Sequence, residues 1–291
     1  QPLGFMNLLD NLRYRIATFS IAEKIILINV LCFVLPMLLN TIFFLLKIPS
    51  GVYMNWLQLS PKIDTFITRP WTLISYSFIH SGFFHLLWNM LLLFYSGRLL
   101  LNLFSDKIFI NNYFLGVIAG GIIFVLSYSL FPVFKGTYPP MIGASAGVMS
   151  VFIFICTYTP EQEIRVLFFN VKLKYIGLVF FFFDVIQIPY GNAGGHLAHI
   201  GGALLGFSYA RQLVNGRDIG TGFEQVWQYL FIKKQLKTVY KSPNKERFNK
   251  ANKNGDNSQI KIDAILDKIS KSGYDSLSKE EKDYLFEAGK K

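Results

Sequence analysis

Two short histidine clusters and one serine are the residues of this chain that could do chemistry. His80 and His85 form the first cluster, His196 and His199 form the second, and these four are all of its histidines. Ser145 lies between the clusters, in the sequence Gly-Ala-Ser-Ala-Gly. Each histidine cluster lies at one end of a long apolar run. Polar, reactive side chains are costly inside a membrane, so their presence there indicates a function.

The composition predicts an all-α polytopic membrane protein. The chain is 52% hydrophobic and only 16% charged, which is little charge for a soluble protein of this size. Its apolar residues are grouped in runs near the roughly 20 residues that cross a bilayer as a helix. The net charge of +11 fits basic residues on the inner side of a membrane better than nucleic-acid binding. We therefore expect the lipid bilayer, and not nucleic acid, as a partner.

The apolar runs predict a six-helix bundle over residues 25–212, preceded by a juxtamembrane segment over residues 1–24. The expected spans are 25–46, 83–101, 108–131, 143–158, 175–188 and 193–212. Arg and Lys at alternate span ends predict that both termini are cytoplasmic. The long connection at 47–79 is expected to be half-submerged in the outer leaflet.

The polar end of the chain is predicted to contain two further parts. Residues 213–259 read as a surface helix and a basic linker. Residues 260–291 read as a small helical cytoplasmic module, in which Ser278 and Glu281 form a capping box. This module either binds an unknown partner or is a solvated tail without a dedicated ligand.

The predicted topology brings both histidine clusters and Ser145 into one leaflet. Peptide hydrolysis by a serine needs a base and donors for the oxyanion. Ser145 is the candidate nucleophile and His199 the candidate base. His85 and Asn89 share a helix face at i and i+4, and both could donate to the oxyanion. Asp184 is expected to lie deeper in the bilayer, so we predict a Ser–His dyad and not a triad.

Small residues accompany both catalytic candidates. They recur at every fourth position of the sixth span, namely Gly194, Ala198, Gly202, Gly206 and Ala210. Gly143 and Gly147 flank Ser145 in the same way. Such stripes allow helix backbones to approach closely in lipid, either as ordinary packing or to bring a serine to a histidine.

These motifs resemble those of the rhomboid family of intramembrane serine proteases, over roughly residues 70 to 212. The matching residues are His85 and Asn89 in the second span, Gly143 and Ser145 in the fourth, and Ala198, His199, Gly202 and Gly206 in the sixth. The resemblance implies Ser145 as nucleophile, His199 as base, and His85 and Asn89 in the oxyanion hole. His80 also has a counterpart in many members.

The resemblance further implies single-span membrane proteins as substrates, cut in or near their spans. It implies no metal and no cofactor, a place in a bacterial inner membrane, and a lateral gate near Phe180–Phe183. Four positions depart from the commonest family pattern. They are Thr72 in place of an arginine, Asn102 in place of an acidic residue, Ala146 in place of a glycine and Met149 in place of a tyrosine.

Two other functions compete with a serine protease. A catalytically inactive rhomboid-like protein would bind or chaperone transmembrane helices, but such proteins characteristically lack the serine or the histidine. A metal transporter or metalloprotease would use the four histidines. The His-Glu-x-x-His pattern of metalloproteases is absent, and Asp184 is the only carboxylate available for a transport site.

Overall fold

The computed structural model describes residues 3–49, 51–166, 168–231 and 256–289. The chain divides into two compact units, residues 1–233 and 234–291. In the first unit the helices are α1 Leu3–Thr18, α2 Ile21–Leu45, α3 Ile63–Thr68, α4 Thr72–Ser75, α5 Phe83–Leu101, α6 Asp106–Leu130, α7 Ser145–Tyr158, α8 Leu173–Gln187, α9 Ala193–Val214 and α10 Thr221–Phe231. The all-α polytopic prediction is confirmed.

Each of the six predicted spans has a helix in the structure. Among the described residues, four helices are long and apolar enough to cross a membrane, namely α2, α5, α6 and α8 with the turn that follows it. The apolar helix α7 has 14 residues, and α9 has 22 residues rich in glycine and alanine. The first span begins earlier than predicted because Ser20 caps α2, and its hydroxyl accepts the Glu23 backbone N–H.

The connection between α2 and α5 is folded against the bundle. Leu59 and Met141 form an antiparallel bridge in which each backbone N–H donates to the other residue's carbonyl. Trp56 stacks on Trp71 with ring centroids 6.1 Å apart, and the Arg69 guanidinium lies 4.2 Å from the Trp56 ring centroid. The loop therefore has a cation on its tryptophan pair although Thr72 replaces the usual arginine.

A small antiparallel hairpin follows α7, where the sequence predicted a charged loop. Its strands are β1 Glu163–Val166 and β2 Phe169–Lys172. Lys172 and Lys174 both donate to the Glu161 carboxylate, and these hydrogen bonds lower the pKa of Glu161 to about 2.

The second unit contains two α-helices in its described part, α11 Asp256–Ser272 and α12 Lys279–Ala288. The predicted capping box is present at the start of α12, since Ser278 and Glu281 exchange both hydrogen bonds. Lys268 on α11 pairs with Glu281 at 2.8 Å. The predicted surface helix corresponds to α10 as far as Phe231, and its remainder and most of the linker lie outside the described residues.

Candidate active site

One cavity of about 750 Å³ collects side chains from α5, α7, α8 and α9. Ser145, His199, His85 and Asn89 all line it. The structure thus brings together the four residues that the sequence proposed for catalysis. Met149, one of the four positions expected to depart from the pattern that the sequence resembles, lines the same cavity.

Ser145 is the first residue of α7, and the loop before it is held in place from the α2–α5 connection. The Gly143 N–H donates to the Tyr76 carbonyl at 3.0 Å. The Ala144 N–H donates to His80 Nε2 at 3.4 Å. First-turn N–H groups of a helix have no intrahelical acceptor, and the helix dipole is positive there. The backbone N–H of Ser145 is therefore available to a developing negative charge.

Gly143 is the position at which this loop passes closest to His85. Its φ is +123°, a value that glycine adopts without strain. A Cβ at this position would lie 2.8 Å from His85 Nε2 and 3.6 Å from Ser145 Oγ. The two side chains thus approach the same point from either side, and a methyl group there would displace His85.

Ser81, which the sequence analysis missed, sets the orientation of His85. The Ser81 hydroxyl lies 3.0 Å from His85 Nδ1, and the Ser81 backbone N–H points at the same nitrogen at 3.5 Å. A backbone N–H can only donate, so Nδ1 is the acceptor and the proton of the neutral ring is on Nε2. That places an N–H donor on the side of the ring that faces Gly143 and Ser145.

Asn89 and His80 complete this side of the cavity. Asn89 is buried, and its side-chain amide donates to the His85 carbonyl at 2.8 Å. One of its two N–H bonds remains for a ligand. His80 is buried beside His85, with ring centroids 5.1 Å apart. Burial, and secondarily the positive charge that His85 would carry when protonated, lower the pKa of His80 to about 4, so it stays a neutral acceptor for the Ala144 N–H.

Glycines bring α7 and α9 into backbone contact next to the serine and the histidine. A Cβ on Gly202 would lie 2.0 Å from the Ala146 carbonyl oxygen, and one on Gly206 would lie 2.1 Å from that of Ser150. Gly202 is one turn after His199, and Ala146 directly follows Ser145. The stripe of small residues on α9 therefore positions Ser145 and His199 as well as packing the helices together.

A third helix joins this contact through a glycine that the sequence analysis did not select. A Cβ on Gly120 of α6 would lie 2.4 Å from Ala146 Cβ and 2.7 Å from the Ala198 carbonyl oxygen. At Gly120 there is room only for a hydrogen atom between Ala146, which follows Ser145, and Ala198, which precedes His199. The pattern of α6 alone does not show which of its glycines meets this junction.

Asp184 lies against the candidate base, contrary to the expectation that it would be deeper. Its Oδ1 is 2.8 Å from His199 Nδ1 and 2.7 Å from His196 Nδ1. The expectation that Asp184 lies away from the histidine is therefore wrong, whereas the Ser–His dyad itself stays a prediction. Asp184 lies eight residues before Asn192 and His199 seven after it. Because α8 and α9 run antiparallel and are joined near Asn192, these counts place the Asp184 and His199 side chains at about the same depth in the bundle.

Asp184, His196 and His199 are also the described residues that could hold a metal ion, since one ligand atom of each lies within 4.8 Å of the others. Their N···O separations of 2.7 and 2.8 Å are those of direct hydrogen bonds. Among the side-chain hydrogen bonds of the described residues, those of His199 go to Asp184 and none joins it to Ser145.

Comparison with known proteins places the sequence that carries this site in a family. A model of the Rhomboid domain matches residues 68–216, just over half of the chain. A family of unknown function matches residues 246–291.

The curated relatives are animal proteins. The presenilin-associated rhomboid-like protein A, mitochondrial, of Danio rerio is 28% identical over 176 residues, covering 55% of this chain and 40% of the relative. Its Rattus norvegicus counterpart is 29% identical over 157 residues, covering 52% and 38%. The chain thus spans about two fifths of the length of these relatives. Their names place them in mitochondria, so they do not support the expectation of a bacterial membrane.

Proposed function

The chain belongs to the rhomboid family, and we propose that it is an intramembrane serine endopeptidase that cuts transmembrane segments of other membrane proteins. The observation that carries this proposal is the shared cavity of Ser145, His199, His85 and Asn89. A nucleophile, a base and two oxyanion donors in one cavity are what acyl transfer from a peptide requires.

The proposed reaction begins when Ser145 Oγ attacks the carbonyl carbon of the scissile bond. His199 Nε2 takes the hydroxyl proton, since its Nδ1 is occupied by Asp184. The oxyanion accepts hydrogen bonds from His85 Nε2–H, the free Asn89 N–H and the Ser145 backbone N–H. Collapse of the tetrahedral intermediate expels the amine, which takes the proton from His199, and water then hydrolyses the acyl-enzyme by the same steps.

The lining of the cavity supports a substrate that arrives from the bilayer. Phe84 and Trp88 of α5 and Phe180 and Phe183 of α8 line it, and each of the four is exposed on the bundle surface. Large apolar side chains exposed on a membrane protein face lipid at no cost. A transmembrane substrate would therefore enter between α5 and α8, and the gate expected near Phe180–Phe183 lies on α8.

The membrane in which this happens is a further part of the proposal. The helices support a multi-pass membrane protein. An even number of spans would leave both ends of the bundle on one side. The prediction that both termini lie on the cytoplasmic side of a bacterial inner membrane is kept here. Proteolysis of sealed vesicles of either orientation can check on which side the termini lie.

The test is cleavage of a single-span substrate by the purified chain in liposomes, with Ser145→Ala and His199→Ala as variants. We expect wild type to cut, both variants to lose cutting, and a chelator to have no effect. Stable binding of the substrate by a folded wild type that cuts none of several substrates would instead favour the inactive binder or chaperone.

A further inference from the structure

We propose that Asp184 is a positioning residue that makes the site a Ser145–His199–Asp184 triad. This inference rests on the proposed function. The carboxylate is on α8, the base on α9 and the nucleophile on α7, so three helices contribute one group each. The 2.8 Å contact between Asp184 Oδ1 and His199 Nδ1 is that of a charge-assisted hydrogen bond.

The contact decides which nitrogen of His199 can act as base. An ionised carboxylate accepts hydrogen bonds and donates none, so His199 Nδ1 must carry the proton. A neutral imidazole has one N–H, which leaves Nε2 with its lone pair. Without Asp184 the ring could rotate or bind its proton on Nε2, and the serine would then face an N–H and not a base.

Burial also allows the Asp184 carboxylate to stabilise the positive charge that forms on His199 during the reaction. The Asp184 side chain is 7% exposed, so water screens its charge little. When His199 takes the serine proton, the resulting imidazolium forms next to this fixed negative charge. The charge stabilises the transition state more than the ground state, which is the condition for raising kcat.

His196 explains how a carboxylate is kept in this apolar place. Its Nδ1 lies 2.7 Å from the same Oδ1, so the oxygen accepts two hydrogen bonds from two rings. Buried ionised groups are tolerated when they are paired and hydrogen-bonded. His196 fixes the carboxylate from one side, and the carboxylate in turn fixes His199.

The experiment uses the full chain in liposomes and measures kcat, KM and the rate at which a fluorophosphonate labels Ser145. The variants are Asp184→Asn and Asp184→Glu. Asp218→Asn is the matched control, because Asp218 Oδ1 only accepts, from the Tyr209 hydroxyl and the Gly220 N–H, and an asparagine oxygen can do the same. Thermal unfolding of each variant is recorded alongside.

We expect Asp184→Asn to lower kcat and the labelling rate by about 10²- to 10⁴-fold, with KM changed less than about threefold. Asp184→Glu keeps a carboxylate and should retain a higher kcat than Asp184→Asn, a rescue that a purely structural role would not give. Asp218→Asn should match wild type.

Three outcomes would overturn the inference. The first is Asp184→Asn with kcat within about threefold of wild type. The second is equal loss in the Asn and Glu variants in proportion to their loss of thermal stability. The third is wild-type cleavage that a chelator abolishes and Zn²⁺ restores, which would make the three residues metal ligands. A folded wild type that neither cuts nor labels would refute the proposed function itself, and the triad with it.

Discussion

Replacing Gly202 by alanine should separate the nucleophile from its base. The new Cβ would lie 2.0 Å from the Ala146 carbonyl oxygen and 2.8 Å from its carbonyl carbon. A carbon–oxygen contact is comfortable at about 3.3 Å, so α7 and α9 must move apart by roughly 1.3 Å. Both atoms belong to the α7 backbone, and no side-chain rotation can relieve the clash.

The displacement acts on both the proposed nucleophile and the proposed base. His199 is one turn before Gly202, and Ser145 is the residue before Ala146. A misplacement of about 1 Å costs on the order of 10²-fold in rate. Overpacking of this kind destabilises a protein by about 1–3 kcal/mol. We therefore expect Gly202→Ala to remain folded at moderate temperature and to cut at about one hundredth of the wild-type rate.

The assay is cleavage in liposomes together with thermal unfolding, with two comparison variants. Gly222→Ala is the control, because a Cβ there has no heavy atom within 4 Å and alanine favours a helix. Gly206→Ala meets the Ser150 carbonyl oxygen at 2.1 Å, one turn farther from the site, and should lose stability similarly but less activity. Full activity of Gly202→Ala, or an equal loss in Gly222→Ala, would refute the reasoning.

Three further changes test other parts of the site. Gly143→Ala meets His85 at a φ of +123° and should lose at least about tenfold in labelling rate and 1–2 kcal/mol in stability; Gly136→Ala, with φ +83° and no neighbour, should lose only stability. Ser81→Ala removes the hydroxyl at His85 Nδ1 and leaves only the backbone N–H at 3.5 Å, so it should lower kcat about tenfold at unchanged KM, and an unchanged kcat would show that the hydroxyl does not orient the ring. Because burial lowers the pKa of folded His80 to about 4, the unfolded chain binds the extra proton below pH 6.5. Stability should therefore fall by up to roughly 3 kcal/mol between pH 6.5 and 4. Chemical unfolding at pH 7 and pH 5 should show a smaller pH effect in His80→Gln, and an equal effect would exclude His80 as the cause.

The sequence predicted the helices well where hydrophobicity decides them. Each of the six apolar runs corresponds to a helix, and the i, i+4 spacing of His85 and Asn89 placed both on the cavity side of α5. Both strands of the hairpin at 163–172 alternate polar and apolar residues, but each has only four residues, and the charged residues among them favoured an inner loop.

The errors at the site arise from contacts between helices. The depth of Asp184 could have been counted from the short turn at 188–192, which α8 and α9 share. Gly120 could not have been selected in this way, because its importance lies in what it touches across the bundle, at Ala146. Ser81 is four residues before His85 and contacts it locally, so the spacing alone could have suggested it.

The most direct measurement is fluorophosphonate labelling of the folded chain, with the modified residue located by mass spectrometry. The central claim is that His199 activates Ser145. It predicts a single adduct on Ser145 in wild type and its loss in His199→Ala at unchanged thermal stability. An unlabelled Ser145 in a folded wild type, or equal labelling in His199→Ala, would contradict it.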